Sequence, residues 1–284
     1  MDQFTANPVR IGVVQTGSVP GSPEQNLQIL RQFAQQAKEA GCSAVCFPEG
    51  FLTGYDPGHA QDYAIPQDDP AVRAVSEIAA ELGIDILAGY MEAAGRVFYI
   101  NHSVFYPDGS VLPYRKTHLG DKERSIFETG GHLAVFPLSC GLTAGFQVCV
   151  ECHFPEITQT LSLRGAQVIF SPFASPGTSA DRERIWKTII PARCYDNRVY
   201  LACCNQMGRR PSAEPDDPAL EFAGGCLACG PDGSIVAEDF GGKPTLLSFD
   251  VGPALLQRYR SEDPSMKYRY FPAKRRPELY TDTL

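Results

Sequence analysis

Nowhere in its 284 residues does the chain carry the run of about 20 apolar residues that a helix needs to cross a bilayer. Its start, Met1 to Arg10, is polar and lacks the apolar stretch of a secretory signal, so the expected location is the cytoplasm. Nor is there a basic excess. Lys and Arg number 25 against 33 Asp and Glu, a formal charge of −8, whereas a phosphate-binding surface needs clustered cations. No nucleic-acid or membrane partner is therefore expected. The one basic cluster, Lys267 to Arg276, reads as a solvated or subunit-facing tail. No internal repeat and no compositional break divides the sequence, so a single domain over residues 1–284 is expected.

Cysteine, in contrast, is plentiful: ten residues, at 42, 46, 140, 149, 152, 194, 203, 204, 226 and 229. Most lie inside apolar, strand-like runs of a long chain without a secretory signal, so they read as reduced thiols rather than a disulfide scaffold.

The pattern along the chain is that of βαβ units with hairpins inserted. Val9 to Val14 reads as a buried strand, and Ser22-Pro23-Glu24-Gln25 then supplies an N-cap, a first-turn proline and a capping-box glutamine. Leu27, Leu30, Phe33, Ala34 and Ala37 form the apolar stripe of the helix that follows. A strand at Ser43 to Phe47 runs into Pro48-Glu49-Gly50, which places a carboxylate at the end of a parallel strand, where α/β sheets set their ligand crevices. A helix from Asp69 to Gly83 is followed by strands at Ile84 to Tyr90, Val97 to Phe105 and Val111 to Tyr114, the last ending in Arg115-Lys116. Beyond a polar loop carrying Glu123, a strand is expected at Leu133 to Pro137. An apolar approach through Phe146 and Val148 then delivers Cys149 to a turn before a helix over Pro155 to Arg164. Strands follow at Gln167 to Ser171 and Val199 to Asn205, on either side of a helix at about Ser179 to Tyr195. Strands at Phe222 to Cys229, Ile235 to Glu238 and Thr245 to Val251 come after a surface loop, Gly208 to Leu220. The fold class is α/β, with a mixed sheet and a second sheet.

Glu49, Lys116 and Cys149 share one description, since each follows a strand, at separations of 67 and 33 residues. A cysteine attacking a carbonyl or nitrile carbon needs a proton acceptor, and the atom that gains charge needs a donor such as an ammonium or a backbone N–H. Free Glu and Cys differ by roughly 4 pKa units, so moving the thiol proton to a carboxylate costs roughly 5–6 kcal/mol. Burial of Glu49, a nearby Lys116 and a helix N-terminus beyond Cys149 would together close most of that gap.

Phe47-Pro48-Glu49, Tyr114-Arg115-Lys116-Thr117-His118-Leu119 and Cys149-x-Glu151-x-x-Phe154-Pro155-Glu156 resemble the three signature segments of the nitrilase superfamily of carbon–nitrogen hydrolases. The likeness continues through Gly165-Ala166, Pro191-Ala192-Arg193 with Asn197, Phe222 to Gly225, and Arg275 to Tyr280, and so covers almost the whole chain. It implies a four-layer αββα sandwich that associates as a homodimer or larger homo-oligomer, with residues from about 255 to 284 a C-terminal tail at the subunit interface. It implies that Glu49 is the general base, Lys116 the cation that stabilises the tetrahedral intermediate and Cys149 the nucleophile, with the N–H of Val150 as a second oxyanion donor. Glu123, in Glu123-Arg124-x-x-Phe127-x-x-Gly130, matches the family's additional glutamate. No metal or organic cofactor is implied.

Within the family, Lys-x-His-Leu, Phe-Pro-Glu and Arg-Arg-Pro-Glu-Leu-Tyr resemble the amidase branches, whereas the short Lys116–Glu123 loop, Glu123-Arg124 and Glu151 resemble true nitrilases. The amidase reading is favoured, with a small amide or carbamoyl compound as substrate and a nitrile as the alternative. Cys152 and His153 stand where some carbamoyl-amino-acid hydrolases carry arginines, which disfavours a negatively charged carbamoyl amino acid, although an arginine from another segment would serve instead. Together with Tyr55, Phe173 and Ser175, they are the expected pocket residues; Phe51 is a further candidate. Cys194, Asp196 and Cys226 depart from the usual residues and read as packing variants. Two other readings use Cys149-x-x-Cys152: paired with Cys226-x-x-Cys229 as zinc ligands, or alone as a redox couple. A non-enzymatic scaffold is disfavoured because all three catalytic residue types are present.

Overall fold

Strand β1 (Val9–Gly17) points Ile11 and Val13 into one buried environment and Val14 into another. A strand that is apolar on both faces belongs inside a layered α/β fold. The computed structural model, which describes residues 7–210, 220–261 and 270–280, has that architecture.

Helix α1 (Pro23–Glu39) follows β1, but the expected capping box does not form, and Ser22 makes no side-chain cap bond. Buried Asn26 fixes the helix entry instead. It accepts from the Val19 N–H at 2.7 Å and donates to the carbonyls of Val19 and Leu52. Strand β2 (Ala44–Cys46), a short helix α2 (Ala60–Tyr63) and α3 (Pro70–Leu82) come next. Helix α3 has the predicted ends: Asp69 accepts from the Ala71 N–H at 2.8 Å, and Gly83 closes it with φ 64°. The chain continues through β3 (Asp85–Ala94), β4 (Val97–Phe105), β5 (Val111–Leu112), β6 (Val135–Pro137), β7 (Thr143–Phe146), α4 (Pro155–Leu163), β8 (Val168–Phe173), α5 (Ser179–Asn197) and β9 (Tyr200–Arg210). It ends with β10 (Leu220–Ala223), β11 (Cys226–Cys229), β12 (Ile235–Asp239), β13 (Thr245–Val251), α6 (Pro253–Arg260) and two 3-10 turns, Phe271–Lys274 and Pro277–Leu279.

The strands form one sheet in the order β5-β4-β3-β2-β1-β13 and a second in the order β6-β7-β8-β9-β11-β12. The two join where Thr16 and Gly17 of β1 pair with Gln206 and Met207 of β9. Side chains alternate between the layers. Ile11, Val13, Ala44, Cys46 and Leu87 of the first sheet meet Phe146, Val168, Phe170, Ala202 and Cys204 of the second in a core between the sheets. Leu30, Phe33, Val72 and Val75 of α1 and α3 cover the outer face of the first sheet, where Val14, Val45 and Ile86 point. Ile157, Leu161, Trp186 and Ile190 of α4 and α5 cover the second. The result is the predicted αββα sandwich.

Strands β1, β3 and β8 run further than expected, to Gly17, Ala94 and Phe173, β5 stops short at Leu112, and two further boundaries differ for reasons the structure shows. The segment Phe222 to Cys229 is not one strand, because Gly224 and Gly225 adopt φ values of 77° and 114°, open to glycine at little cost, and break it into β10 and β11. Strand β9 runs past Asn205 to Arg210, taking up part of the segment expected to be a loop; residues 211–219 of that loop lie outside the described residues. So do 262–269 and 281–284 of the C-terminal tail, including the start of the basic cluster.

Candidate active site

Three chain segments separated in sequence converge at one end of the sheets. Lys116 is held in place by its backbone, whose N–H donates to the Ile100 carbonyl at 2.9 Å beyond the end of β5. Its Nζ donates to Glu49 Oε1 at 2.7 Å and to both oxygens of Glu123 at 2.8 and 2.9 Å. Glu49 follows β2, and its second oxygen accepts from the Ala174 N–H at 2.9 Å, which ties it to the end of β8 in the other sheet. Glu123 also accepts from the Tyr55 hydroxyl at 2.5 Å and the Gly120 N–H at 2.6 Å. Lys116 and Glu49 have fully buried side chains, and that of Glu123 is 6% exposed.

Cys149 opens a 3-10 turn, Cys149–His153, with φ 51°. A non-glycine residue in the left-handed region stores strain, which is characteristic of side chains presented to a site. Helix α4 starts at Pro155, where the sequence places it, and a 3-10 turn fills the interval between it and the cysteine. Burial and charged neighbours set the electrostatics of the cysteine. Burial pushes the Cys149 thiol well above its ordinary pKa, the Glu49 carboxylate adds to the rise, and Lys116 only partly opposes it. Burial also raises Glu49 above the usual carboxylate range, with Glu123 adding to the rise and Lys116 opposing it. Lys116 is raised by its two carboxylates and the cysteine, against the effect of burial, so it is held as the ammonium. Burial and Glu49 thus work against a preformed thiolate at Cys149, with Lys116 opposing them. A proton acceptor next to the sulfur is then a chemical requirement.

Glu151 is a further buried carboxylate, and the bonds it makes are to neutral donors. Its Oε1 accepts from the Thr117 N–H and Oγ1, both at 2.7 Å, and from the His118 N–H at 3.3 Å. Its Oε2 accepts from the Val148 N–H at 2.6 Å, and the Tyr114 hydroxyl bridges both oxygens. One side chain thus fastens the segment after Lys116 to the turn that carries Cys149.

A cavity of about 530 Å³ opens onto Cys149, Lys116 and Glu123, and its walls include Tyr55, Val150 and Ser175 from the expected set. Cys152, His153 and Phe173 do not line it. Cys152 lies wholly inside the core between the second sheet and its helices, where burial takes its thiol to about 12. His153 faces the surface. Phe173 packs on Trp186 with ring centroids 4.8 Å apart. The 3-10 turn Cys149–His153 carries Cys152 into the core and His153 to the surface. Phe51 is likewise core, packed on Phe47. The cavity wall also contains residues that sequence reading passed over, notably Arg210, Ile126 and Phe222. Arg210 gave no signal because the polar run from Asn205 onward hides the continuation of β9.

The remaining buried cysteines of the second half gather on the two faces of the second sheet, Cys204 and Cys226 with Cys46 between the sheets and Cys194, Cys203 and Cys229 beneath the helices. Cys226 points into the core between the sheets and Cys229 to the opposite face of β11, as residues three apart on a strand must. Among the described residues no group of three or more His, Cys, Asp or Glu is placed to hold a metal ion. Cys194 and Cys226 are buried, as packing variants, while Asp196 is exposed.

Comparison with known proteins agrees with this geometry. Residues 10–261 match the family described as carbon-nitrogen hydrolase. A protein of Pseudomonas protegens named "Hydrolase in pqqF 5'region" is 31% identical over 96% of this chain and 91% of its own length. A nitrilase of Pyrococcus abyssi is 29% identical over 81% of this chain and 84% of its own. Among solved structures, a variant of the amidase from Nesterenkonia sp. AN1, showing covalent addition of the acetamide moiety of fluoroacetamide at its active site cysteine, aligns with a TM-score of 0.81 at 27% identity, covering 96% of each chain. By sequence match and by fold, the chain belongs to the carbon–nitrogen hydrolase family of the nitrilase superfamily, whose members act on amides or nitriles.

Proposed function

We propose that the protein is an amidase that hydrolyses a small amide through a thioester on Cys149. The observation that carries this reading is the buried Glu49–Lys116–Glu123 cluster, bonded at 2.7 to 2.9 Å, whose charges all act on the cysteine. Glu49 takes the thiol proton as the sulfur attacks the amide carbon. The carbonyl oxygen gains the charge and is held by Lys116 Nζ and the Val150 N–H. When the intermediate collapses, the C–N bond breaks and Glu49 returns its proton to the leaving nitrogen, so ammonia or an amine departs. Water then gives a proton to Glu49 and attacks the thioester. The acid is released, and the proton returns to the sulfur. Glu123 does not move protons in this scheme; it keeps Lys116 charged and aimed.

The same nucleophile can attack a nitrile, and the likeness to the Pyrococcus abyssi nitrilase favours keeping that reaction as the second reading. Ammonia release from a panel of simple amides, carbamoyl compounds and nitriles, with mass detection of an acyl adduct on Cys149, separates them. Ammonia from nitriles alone would overturn the amidase reading. The working unit is a homodimer or larger homo-oligomer joined through the helical face of α5 and the C-terminal segments. Tyr195, Leu255, Leu279 and Tyr280 are exposed there, with Leu279 at 60%.

A further inference from the structure

Strand β9 is where the two sheets join, and the last residue it pairs with β8 is Asn205, opposite Phe173. Past that point its main chain bonds the bend between β10 and β11. The Asn205 N–H donates to the Gly225 carbonyl, and the Gln206 carbonyl accepts from the Gly224 N–H, both at 3.0 Å. The ladder therefore stops serving the continuation of β8 just where Ala174 and Ser175 enter the cavity wall. The Asn205 side chain takes its place. Oδ1 accepts from the Ser175 N–H at 2.9 Å, and Nδ2 donates to the Ser175 carbonyl at 3.1 Å and the Gly224 carbonyl at 3.0 Å. A wholly buried amide thus holds the segment after β8 by both kinds of backbone group.

That segment carries a donor to Glu49. The Ala174 N–H bonds Oε2 at 2.9 Å, the one hydrogen bond this oxygen makes among the described residues. Lys116 holds Oε1, and Gln206, next to Asn205 on β9, donates from Nε2 to the Glu49 carbonyl at 3.0 Å. Main chain and first oxygen are thus fixed by other groups. The last torsion of a glutamate is soft, so a carboxylate held by one oxygen can still rotate about it. The bond to the second oxygen fixes the carboxylate plane, and with it the direction of the lone pairs left to receive a proton.

The N–H groups of Ala174 and Ser175 belong to consecutive peptides that share the Ala174 Cα, so only two soft dihedrals separate them. Asn205 supplies the one bond to the Ser175 N–H among the described residues. Arg182 supports the far side of the segment, from Nη2 to the Ser175 hydroxyl at 2.5 Å and to the Ser175 and Pro176 carbonyls at 3.3 and 3.2 Å. None of those bonds reaches the N–H.

We infer that Asn205 is a positioning residue for the reaction: through the Ser175 peptide it keeps the Ala174 N–H on Glu49 and so aims the carboxylate that takes the thiol proton. This rests on the reading of Glu49 as the base and names what holds it in place. Burial raises the Glu49 pKa, and the Ala174 N–H is among the groups that oppose the rise, because it bonds the ionised form better. Loosening that bond moves the pKa further up. Activity that needs ionised Glu49 is then lost at a higher pH as the solution is acidified.

The test is the pH profile of ammonia release from the fastest substrate of the panel above, in the wild type, in Asn205→Ala and in Leu30→Ala, a core truncation on the outer face of the first sheet. Asn205→Ala is expected to move the acid limb of kcat/KM to higher pH. Its kcat should fall roughly tenfold to a hundredfold with a smaller change in KM, the signature of a misplaced reacting group. Leu30→Ala should lower Tm through the cavity it leaves and keep the wild-type limb, which separates positioning from a merely structural role. Should Asn205→Ala not fold, Asn205→Ser carries the same expectation, since its hydroxyl leaves room for a water to satisfy the freed groups without fixing them. A wild-type acid limb in a folded Asn205 variant overturns the inference and leaves Glu49 as the base, and so does an equal shift in Leu30→Ala. A wild-type enzyme that forms the Cys149 adduct but shows no acid limb overturns the reading of Glu49, and the inference with it.

Discussion

Replacing Glu151 by glutamine changes one atom of the side chain and should damage both stability and catalysis. Oε1 of the wild-type residue serves Thr117 and His118, while Oε2 serves the Val148 N–H at 2.6 Å. A glutamine that keeps its oxygen toward Thr117 must turn its NH₂ toward the Val148 N–H, so a donor faces a donor in a fully buried site. An unsatisfied buried N–H costs about 1–3 kcal/mol, and the bonds that remain lose their charge assistance. A total of roughly 3 kcal/mol follows, within the stability a domain of this kind commonly has, so the variant should fold. For a chain of this size, that loss lowers Tm by roughly 6–12 °C. Because the lost bond anchors the residue before Cys149, kcat should fall roughly tenfold to a hundredfold with a smaller change in KM, the signature of misplaced reacting groups. Differential scanning calorimetry and steady-state ammonia release measure the two effects, with the exposed Glu156→Gln as a control that should show neither. A Glu151→Gln enzyme with wild-type Tm and kcat would refute the clamp and the reasoning from buried donors.

Cys149→Ala should abolish ammonia release and acyl adduct formation, whereas Cys152→Ala, in the core, should cost stability and leave turnover measurable; equal loss in both, by the same assay, would count against the assignment. The acid limb of kcat/KM should lie above the ordinary glutamate value of about 4.3, since Glu49 must be ionised to accept the thiol proton and burial raises its pKa. In Glu123→Gln, kcat should fall roughly a hundredfold or more as Lys116 loses one of its two carboxylates. The residual activity should show its acid limb at lower pH than the wild type, because the Glu123 charge helps to raise Glu49. A pH profile of the variant shifted upward would contradict this electrostatic account.

The fold was legible where the signal is local. Asp69 and Gly83 mark the ends of α3 by side-chain and backbone preferences that need no distant partner, and the structure shows both devices. The cap of α1 was not legible, since Asn26 outcompetes Ser22 only by reaching the carbonyl of Leu52, 26 residues away. Likewise the end of β9 depends on pairing with β10 rather than on its own apolar pattern. Cys152 and His153 are expected in the pocket by resemblance to the family's third and fourth positions after the cysteine, whereas their burial and exposure depend on how the 3-10 turn packs on the core, which their residue types do not specify.

The sequence by itself determined the layered α/β architecture and the identity of the chemical groups. Strands apolar on both faces can be buried only between two covering layers, and signature residues carry their functional chemistry wherever the fold takes them. The tertiary structure decided how those groups behave. Glu49 is bonded by the Ala174 N–H from 125 residues away, and Glu151 joins segments that are remote in sequence. The Cys149 thiol is pushed up by what encloses it, and Arg210 lines the cavity because β9 runs on. Desolvation, hydrogen-bond satisfaction and cavity shape depend on atoms brought together from the whole chain, so no local stretch encodes them.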